Sequence, residues 1–309
     1  MGEISKSVLL FSALFLVYEC AFSQSFYDSK FNRKWVASMG VGYARSLSDL
    51  TNPGAYFDNK LNIEGGIQYL ATDRINIRTH LLLFQLSGDD RDIDPELNTR
   101  SRGLSFVSNN IEMGTTISLS LFSKNSRFID RPRINPYVFG GVGLLYFDPR
   151  AEVPKYAIVN GQSIPAPRAG EMVSLHQYQT ERPNSYSQFA VVIPLGLGVK
   201  IKATNFLDIT LEASNRITFT DYLDDVSGKE YSDINEFDFS KDEDITAWAL
   251  SNPSGTESNT RGNPESDDYY LIVNLKLDFY IQGNFFNRLF GLDENKFDLT
   301  PQRGGRLFR

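Results

Sequence analysis

Long stretches of alternating apolar and polar residues recur along this chain, and they limit its possible folds more than any other feature. Alternation of this kind is typical of β-strands, because successive side chains point to opposite faces. The clearest stretch runs from Phe189 to Ile201, with Leu195, Leu197 and Val199 on one side of it. The chain has eight such stretches in all. Their first apolar residues are Trp35, Leu61, Ile75, Ile111, Tyr137, Phe189, Leu207 and Tyr269. Several span ten residues or more, which exceeds an ordinary strand but suits a tilted strand that crosses a bilayer.

The connections between these stretches alternate in length. Longer connections cover residues 45–58, 86–101, 148–187 and 219–268, and shorter ones cover 72–74, 123–135 and 203–205. Bacterial outer-membrane barrels have an even number of strands, short periplasmic turns and long extracellular loops. A soluble β-sandwich gives no reason for all its long loops to lie at one end. The sequence therefore predicts an all-β fold, an eight-stranded antiparallel transmembrane β-barrel with long extracellular loops.

Three local features modify this strand pattern. Leu104 and Phe106 are out of phase with the residues that follow from Ile111, so we expect a β-bulge near Asn109. Pro194 lies inside a strand, where it removes one hydrogen bond of the ladder. Aromatic residues stand at strand ends, where they suit the interfacial girdles of a membrane barrel. These are Tyr43, Tyr69, Phe147, Tyr269 and Phe279.

The N-terminal residues are organised like a secretory signal peptide. Val8–Val17 form an apolar core, and small residues precede Gln24 in the arrangement of a cleavage site. The sequence predicts a signal peptide over 1–23, a barrel over 24–280 and a periplasmic tail over 281–309. The one cysteine, Cys20, would leave with the signal peptide, because Glu19 before it makes a poor lipidation signal. The expected location is the outer membrane, with outer-membrane lipid as a partner and no disulfide.

Charge and residue types argue against several function classes. The formal net charge of −7 does not suit a nucleic-acid partner, which needs a basic surface. The chain has two histidines, His80 on a strand and His176 in a long loop. Ser174 and Ser185 lie near His176 in sequence, but a catalytic site depends on geometry that spacing alone does not specify. We therefore expect no enzyme activity and no cofactor.

Charged residues fall on the polar face of the predicted strands. Small barrels are filled by their own side chains, and an isolated buried charge is costly. We therefore expect opposite charges to pair and to fill the lumen, and a narrow ion or solute path is the alternative. The charges expected inside are Glu64, Arg78, Glu112, Lys200, Glu212, Arg216 and Lys276, with His80, Lys202, Asp208 and Asp278 on the same faces.

The last long loop is rich in acidic residues, among them Asp221, Asp224, Asp225, Asp242 and Asp244. Calcium binds several oxygen ligands, but the regular ligand spacing of a calcium loop is absent here. The sequence favours a solvated acidic loop, with a structural calcium site as the alternative.

Several segments resemble the PorG-like outer-membrane barrels of the type IX secretion and gliding apparatus. One is Ile193–Lys200, and the most specific is TDYLDDVSG, in a segment that continues to Tyr231. The residues of that motif are Thr220, Asp221, Tyr222, Leu223, Asp224, Asp225, Val226, Ser227 and Gly228. Further matches lie at 136–143, 261–264 and 268–269, so the similarity spans the mature barrel. The resemblance implies an eight-stranded outer-membrane barrel that contacts periplasmic ring proteins of the secretion system, and it suggests that the acidic motif residues fix the loop at the strand exit.

The sequence offers two places for a protein partner. The turn at 123–135 is basic, and the tail carries apolar residues at the spacing of an amphipathic helix. The expected periplasmic contact residues are Arg127, Arg131, Arg133, Phe285, Phe286, Leu289 and Phe290. This surface favours a non-enzymatic barrel that anchors or organises a periplasmic assembly, with type IX secretion as the implied setting. The alternative is an adhesin or receptor that acts through the loops at 148–187 and 219–268.

Overall fold

The computed structural model describes residues 33–48, 50, 60–90, 102–123, 130–255, 261–262 and 267–281 of the 309-residue chain. The predicted signal peptide lies outside these ranges, as does nearly all of the predicted tail. Of the expected partner-contact residues, Arg127, Phe285, Phe286, Leu289 and Phe290 also lie outside them.

Twelve strands are described, and eight of them pair in one closed antiparallel ladder. In chain order the strands are β1 (Trp35–Leu47), β2 (Lys60–Leu70), β3 (Ile75–Asp89), β4 (Ser105–Ser120), β5 (Ile134–Tyr146), β6 (Pro149–Glu152), β7 (Tyr156–Val159), β8 (Gln162–Pro165), β9 (Met172–Ser174), β10 (Phe189–Lys202), β11 (Leu207–Thr218) and β12 (Tyr269–Ile281). The order around the barrel is β3-β2-β1-β12-β11-β10-β5-β4, and pairing of β3 with β4 closes it.

Side chains alternate between the lumen and the outside along the barrel strands. In β4 the lumen-facing side chains are buried, while Met113 and Ile117 on the outer face are 61% and 57% exposed. Every barrel strand exposes such side chains, for example Met39, Leu61, Leu81, Met113, Leu144, Leu197, Leu211 and Leu275. An outward-facing apolar belt around a closed barrel is the surface that transmembrane barrels present to lipid. The predicted eight-stranded transmembrane barrel is confirmed.

Short and long connections lie at opposite ends of the barrel. The short-turn end carries the connections at 71–74, 121–133 and 203–206, and the long-loop end carries the other four. Two of the short turns use the same device: the Thr72 hydroxyl accepts from Ile75 N at 3.0 Å, and the Thr204 hydroxyl accepts from Leu207 N at 3.1 Å. Such a side-chain bond replaces a backbone bond in a tight turn.

Two expectations about the strands are wrong, and one is confirmed. The register between β3 and β4 is unbroken from Ile75 to Asp89, so there is no bulge near Asn109. Phe147 is buried rather than in an interfacial girdle. Both errors have one cause: lumen-facing positions near the long-loop end are apolar, so the hydrophobic phase changes although the backbone does not. The ladder between β10 and β5 does skip Pro194, as expected of a residue without an N–H.

The third and fourth long connections fold over the long-loop end of the barrel. We call this layer the cap and define it as residues 147–188, 219–255, 261–262 and 267–268. In the cap, β6 pairs with β4 and β9 pairs with β6, while β7 and β8 form a separate hairpin. The cap also contains the short helix α1 (Leu175–Tyr178), a 3₁₀ turn (Ile234–Glu236) and the helix α2 (Asp242–Ser251). Trp248 of α2 donates to Ile158 O at 2.7 Å and packs edge-on against Phe237. No helix in the described ranges is both long and apolar enough to cross a membrane.

The lumen has two halves of different chemistry. In the half nearer the long-loop end, barrel and cap side chains form one apolar core. The barrel contributes Leu82, Phe84, Phe106, Leu145, Val192, Tyr270 and Ile272, and the cap contributes Phe147, Leu223, Val226, Phe237, Trp248 and Leu250. In the half nearer the short-turn end, most buried side chains are charged or polar. A small apolar cluster of Val36, Leu70 and Tyr280 lies beyond them at the short-turn end.

Candidate functional site

The structure places the seven predicted lumen charges inside the barrel, and Lys276 lies at the centre of one group of them. Lys276 Nζ is 2.6 Å from Glu64 Oε1 and also donates to Glu212. Glu212 accepts further bonds from Arg78 and from the Tyr137 hydroxyl. These side chains come from β12, β2, β11, β3 and β5, so their bonds cross-link opposite walls of the barrel.

Glu112 of β4 is the centre of a second buried group. Its carboxylate accepts from Arg216 Nε at 3.2 Å and from the Tyr270 hydroxyl at 2.8 Å. His80 Nε2 lies 3.0 Å from the same carboxylate. Because Glu112 is fully buried, these partners are what allow a charge to remain there.

Lys200 and Asp278 form a third group nearer the short-turn end. Lys200 Nζ lies 3.5 Å from Asp278 Oδ2 and donates to Gln68 Oε1 at 3.0 Å. Asp278 also accepts from the hydroxyls of Ser38 at 2.6 Å and Thr210 at 2.8 Å. The three groups together are the paired and filled lumen that the sequence predicts.

Arg131, one of the residues expected to contact a periplasmic partner, is instead part of the barrel. Its guanidinium is 2.7 Å from Asp208 Oδ1 and donates to the backbone oxygens of Thr204 and Asn205 in the neighbouring turn. Arg131 is buried, so the expectation that it contacts a periplasmic partner is wrong. Its charge is paired at the short-turn end of the barrel. Arg133 is exposed at that end.

The acidic motif residues lie at the junction between the cap and the barrel. Asp221, Asp224 and Asp225 are all buried, so the interpretation of this part of the loop as solvated is wrong. Asp224 accepts from Val226 N at 2.9 Å and from Leu50 N of the first long connection at 3.2 Å. Solvent exposure returns further along the loop, where Asp242 is exposed.

The other motif residues also bind within the cap or pack in its core. Thr220 O accepts from Asp268 N at 3.1 Å, and Leu223 N donates to Asp268 Oδ2 at 2.9 Å. The ring of Tyr222 stacks on Tyr186 at 4.6 Å. The backbone N–H groups of Ser227 and Gly228 both donate to Glu181, at 2.9 Å for the first. Leu223 and Val226 are buried in the apolar core.

A buried cluster of Arg261, Glu181 and Asp225 joins three segments of the cap. Arg261 Nη1 donates to Glu181 Oε1 and, at 3.0 Å, to the backbone oxygen of Asp225. Arg261 Nη2 lies 3.8 Å from Asp225 Oδ2, and the Tyr186 hydroxyl donates to Asp225 Oδ1 at 2.7 Å. Thr180 donates to the same carboxylate. We call Arg261, Glu181 and Asp225 the cap cluster.

Burial shifts the pKa of two groups in and beside the cap cluster. Desolvation raises the pKa of Asp225 to about 6, although Arg261 and the donated hydrogen bonds act in the opposite direction. Desolvation also raises the pKa of the Tyr186 hydroxyl, and the neighbouring charge of Asp225 raises it further. Tyr186 therefore remains a hydrogen-bond donor to Asp225 at any physiological pH.

The geometry does not assemble the residues that sequence proximity suggested for catalysis. His176 Nε2 lies 3.0 Å from the backbone oxygen of Tyr186, and the Ser174 hydroxyl donates to Asp148 at 2.5 Å. His176 and Ser174 therefore bind other partners instead of each other. Among the described residues, no group of three or more His, Cys, Asp or Glu side chains is placed to hold a metal ion.

Sequence reasoning did not single out Glu181, Arg261 or Arg102, whose side chains organise the cap. Nothing in the sequence marks Glu181 in the long connection before β10, because its partners are far along the chain. Arg261 lies in a segment of the family resemblance, which was the one available signal for it. Arg102 was missed too: it is 2.7 Å from Asp90 and also donates to the backbone oxygen of Arg261.

Comparison with known proteins adds structural likeness only. No family model matches the chain, and no curated protein matches it. Among solved structures, Neisserial surface protein A is similar at 8% identity and a TM-score of 0.38, over 80% of this chain and 97% of that one. The outer membrane protein OprG from Pseudomonas aeruginosa is similar at 11% identity and a TM-score of 0.37, over 82% and 100%. Ail, the attachment invasion locus protein of Yersinia pestis, is similar at 9% identity and a TM-score of 0.34, over 80% and 98%.

Proposed function

We propose that this chain is a non-conducting outer-membrane barrel with a structural role, anchoring a periplasmic protein assembly. The filled lumen is the observation that supports this role. Paired charges cross-link the walls in one half, and the apolar core shared with the cap fills the other half. A barrel filled in this way suits a mechanical anchor better than a transporter.

The proposed setting is the type IX secretion system, and its support is the sequence resemblance. In an outer-membrane barrel the short turns face the periplasm, so the predicted tail and turn would meet a partner there. The proposed contact residues are Arg127, Arg133, Phe285, Phe286, Leu289 and Phe290. Arg131 does not belong to this set, because it is bonded to Asp208.

Conductance across a planar bilayer tests the closed lumen. The purified full-length protein should insert without producing steady channels, beside an open porin measured in the same bilayer as the control. Reproducible, ion-selective conductance steps whose number scales with the amount of this protein would contradict the closed lumen. They would favour the narrow ion path instead.

A cross-linked pull-down from outer membranes tests the anchoring role. The full-length protein is compared with a copy that ends at Tyr280, and the captured proteins are identified by mass spectrometry. Periplasmic ring proteins should come down with the full-length protein and not with the truncated copy. If both copies bring down only lipid and other barrels, the secretion assignment fails.

A surface receptor or adhesin is the second candidate, and the folded cap is the observation that favours it. Tyr156 and Met172 are 55% and 52% exposed on the cap, away from the apolar belt of the barrel. Replacing residues 156–165 with a Gly-Ser linker of equal length should abolish binding to a surface partner and leave the periplasmic pull-down unchanged. The opposite pattern would favour the anchor.

A further inference from the structure

The short-turn end of the barrel carries basic side chains around its edge, although the formal net charge of the whole chain is −7. Three exposed cations directly precede β1, β3 and β5, and a half-buried one ends β10. These four residues are Lys34, Arg74, Arg133 and Lys202, and we call them the basic rim. The acidic residues of the described turns at this end are Asp73 and Asp130, so cations outnumber anions there.

Backbone hydrogen bonds make the basic rim part of the barrel ladder. The backbone oxygens of Lys34, Arg74 and Arg133 each accept a hydrogen bond of 2.8 Å from the neighbouring strand. The donor to Arg133 O is the backbone N–H of Lys202, so two rim residues stand side by side. The backbone positions of these cations are therefore set by strand pairing and not by a loop.

Strand alternation directs the rim side chains toward the barrel mouth and away from the surrounding lipid. Each rim residue lies two positions from a buried lumen residue, and side chains two positions apart on a strand face the same side. These lumen residues are Val36, Asn76, Asn135 and Lys200. The residues between them face outward, as Ile75 and Ile134 do at 38% and 58% exposed. The basic rim therefore surrounds the periplasmic mouth of the barrel.

Two more guanidinium groups lie behind the rim, and both contact the same tyrosine. Arg33 Nη1 donates to Tyr280 O at 3.0 Å, and the Arg131 guanidinium lies 4.6 Å from the centre of the Tyr280 ring. Asp208 accepts from Arg131 at 2.7 Å and from the Tyr280 hydroxyl at 2.6 Å. Burial and the nearby charge of Arg131 both lower the pKa of Arg33, because neighbouring cations repel each other. A negative group at the mouth would relieve this repulsion.

The opposite end of the molecule has the opposite charge. Around the 3₁₀ turn and the start of α2, the cap exposes several carboxylates beside the single cation Lys241. They are Asp233, Glu236, Asp238, Asp242 and Glu243. The cap and the basic rim lie on opposite sides of the membrane, so the acidic cap of a second copy in the same membrane does not reach the rim.

The counter-charge for the rim is not supplied by lipid or by the chain's own tail. Lipid surrounds the outer wall of the barrel, which the rim side chains do not face. Residues 281–309 contain five basic side chains and three acidic ones, so the tail adds to the positive charge of this end. A periplasmic protein approaches the barrel from the side of the mouth, where the rim side chains point.

We infer that the basic rim binds an acidic segment, rich in Asp and Glu, of the periplasmic protein that this barrel anchors. The inference rests on the proposed anchoring role and names the chemistry of the partner's contact surface. Arg74 and Arg133 suit carboxylates, because a guanidinium donates two parallel hydrogen bonds to one carboxylate. Charge attraction between the rim and the segment also speeds their encounter and fixes its orientation.

A zero-length carbodiimide cross-linker tests this contact in outer membranes, because it joins a lysine amine directly to a carboxylate. In the full-length protein, Lys34 and Lys202 should be joined to Asp or Glu side chains of a periplasmic protein, identified by mass spectrometry of the linked peptides. Arg74→Gln with Arg133→Gln keeps both lysines and should lower the yield of these cross-links about tenfold. Arg74→Lys with Arg133→Lys keeps the charge and should retain most of the yield.

The matched control removes the same charge from the other end of the molecule. Lys155 and Lys229 are exposed on the cap, so Lys155→Gln with Lys229→Gln should leave the cross-links unchanged. A short fluorescent peptide of alternating Glu and Gly probes the rim alone, with the protein held in phosphatidylcholine nanodiscs. Its affinity should fall about tenfold in the variant with Arg74→Gln and Arg133→Gln, and it should not change in the cap control.

The outcomes separate failure of this inference from failure of the anchoring role. If the variant with Arg74→Gln and Arg133→Gln captures the same periplasmic protein in equal yield, the anchoring role stands and the basic rim is not the contact. If no periplasmic protein is linked to any form, the anchoring role fails and this inference fails with it. Links from Lys34 or Lys202 to the carboxylates of peptidoglycan peptides alone would also overturn the inference, since the rim would then hold the cell wall.

Discussion

The two halves of the lumen solve the same packing problem with opposite chemistry. Near the short-turn end the walls are joined by buried ion pairs, as between Lys276 and Glu64. Near the long-loop end the walls pack against apolar residues of the cap, such as Leu223 and Val226. Buried ion pairs are costly to desolvate but specify geometry, whereas apolar packing is favourable and less directional.

The two halves differ in what makes their structure unique. The three ionic groups of the lumen are built by barrel strands, whose ladder fixes which side chains meet. The apolar half is completed by the third and fourth long connections. Apolar packing alone does not fix their positions, so they need directional bonds of their own. The cap cluster supplies them, so buried charges fix the geometry in both halves, as three groups in the ionic half and as the cap cluster in the apolar half.

Removing the central cation of the ionic half should have the largest effect. Lys276→Met leaves Glu64 and Glu212 without their shared partner in a buried site, which should cost about 4–5 kcal/mol of barrel stability. Urea unfolding in detergent, followed by the mobility shift of the folded barrel on gels, measures this. Lys241→Met is the matched control, because Lys241 pairs with Asp238 on the exposed surface and should change little. Equal loss in both variants would mean that the ionic half is not what holds the barrel.

Breaking the cap cluster should release the cap and spare the barrel. Arg261→Met leaves Glu181 and Asp225 buried without their cation, and should cost about 3–4 kcal/mol of cap stability. The chain has two tryptophans, Trp35 in the barrel and Trp248 in the cap, so a Trp35→Phe background makes fluorescence report the cap alone. Adding Glu181→Gln and Asp225→Asn to Arg261→Met should recover part of the loss. If the gel shift of the barrel disappears together with the Trp248 signal, the halves are not independent.

The barrel was predictable from sequence because its signal is local. Alternation along β10 or β12 sets which side chains face lipid, and the alternating lengths of the connections set the two ends. The same pattern identified Glu212 and Lys276 as lumen residues, because their neighbours in the strand are apolar. It failed at Phe106 and Phe147, where the lumen itself is apolar and polarity no longer distinguishes inside from outside.

The cap was not predictable, because its contacts are far apart in sequence. Glu181 and Arg261 are 80 residues apart, and no periodicity connects them. Acidic residues such as Asp225 looked like solvated loop residues, since burial of a carboxylate depends on a partner that composition does not reveal. Arg131 was read as a free basic residue for the same reason, because it lies in a turn and its carboxylate partner Asp208 lies far along the chain on β11.

The cap should become more stable on acidification. Burial raises the pKa of Asp225 to about 6 from a usual value of 3.8, so the folded cap binds a proton more tightly than the unfolded cap. Its stability should therefore be greatest below pH 4 and should fall as the pH rises from about 4 to about 6, by about 3 kcal/mol. Urea titrations of Trp248 fluorescence between pH 4 and 7 measure this change.

Asp225→Asn is the control for this pH dependence. The amide does not titrate, so the slope between pH 4 and 6 should flatten while Arg261 and Glu181 stay in place. A slope that persists in Asp225→Asn would assign the dependence to another group and remove Asp225 as its source.

The smallest effect should come from the outer face of the barrel, which touches lipid. The hydroxyls of Thr79 and Thr115 lie 3.2 Å apart on exposed positions of β3 and β4. Replacing both with valine keeps the shape and removes donor and acceptor together, so stability should change by less than about 0.5 kcal/mol. Thr79→Val alone leaves the Thr115 hydroxyl without its partner and should cost about 1 kcal/mol, measured by urea unfolding in the same lipid. If the double variant loses as much as Lys276→Met does, polar contacts on the lipid face would matter as much as those in the lumen, and the contrast between the two halves would not describe where this barrel gets its stability.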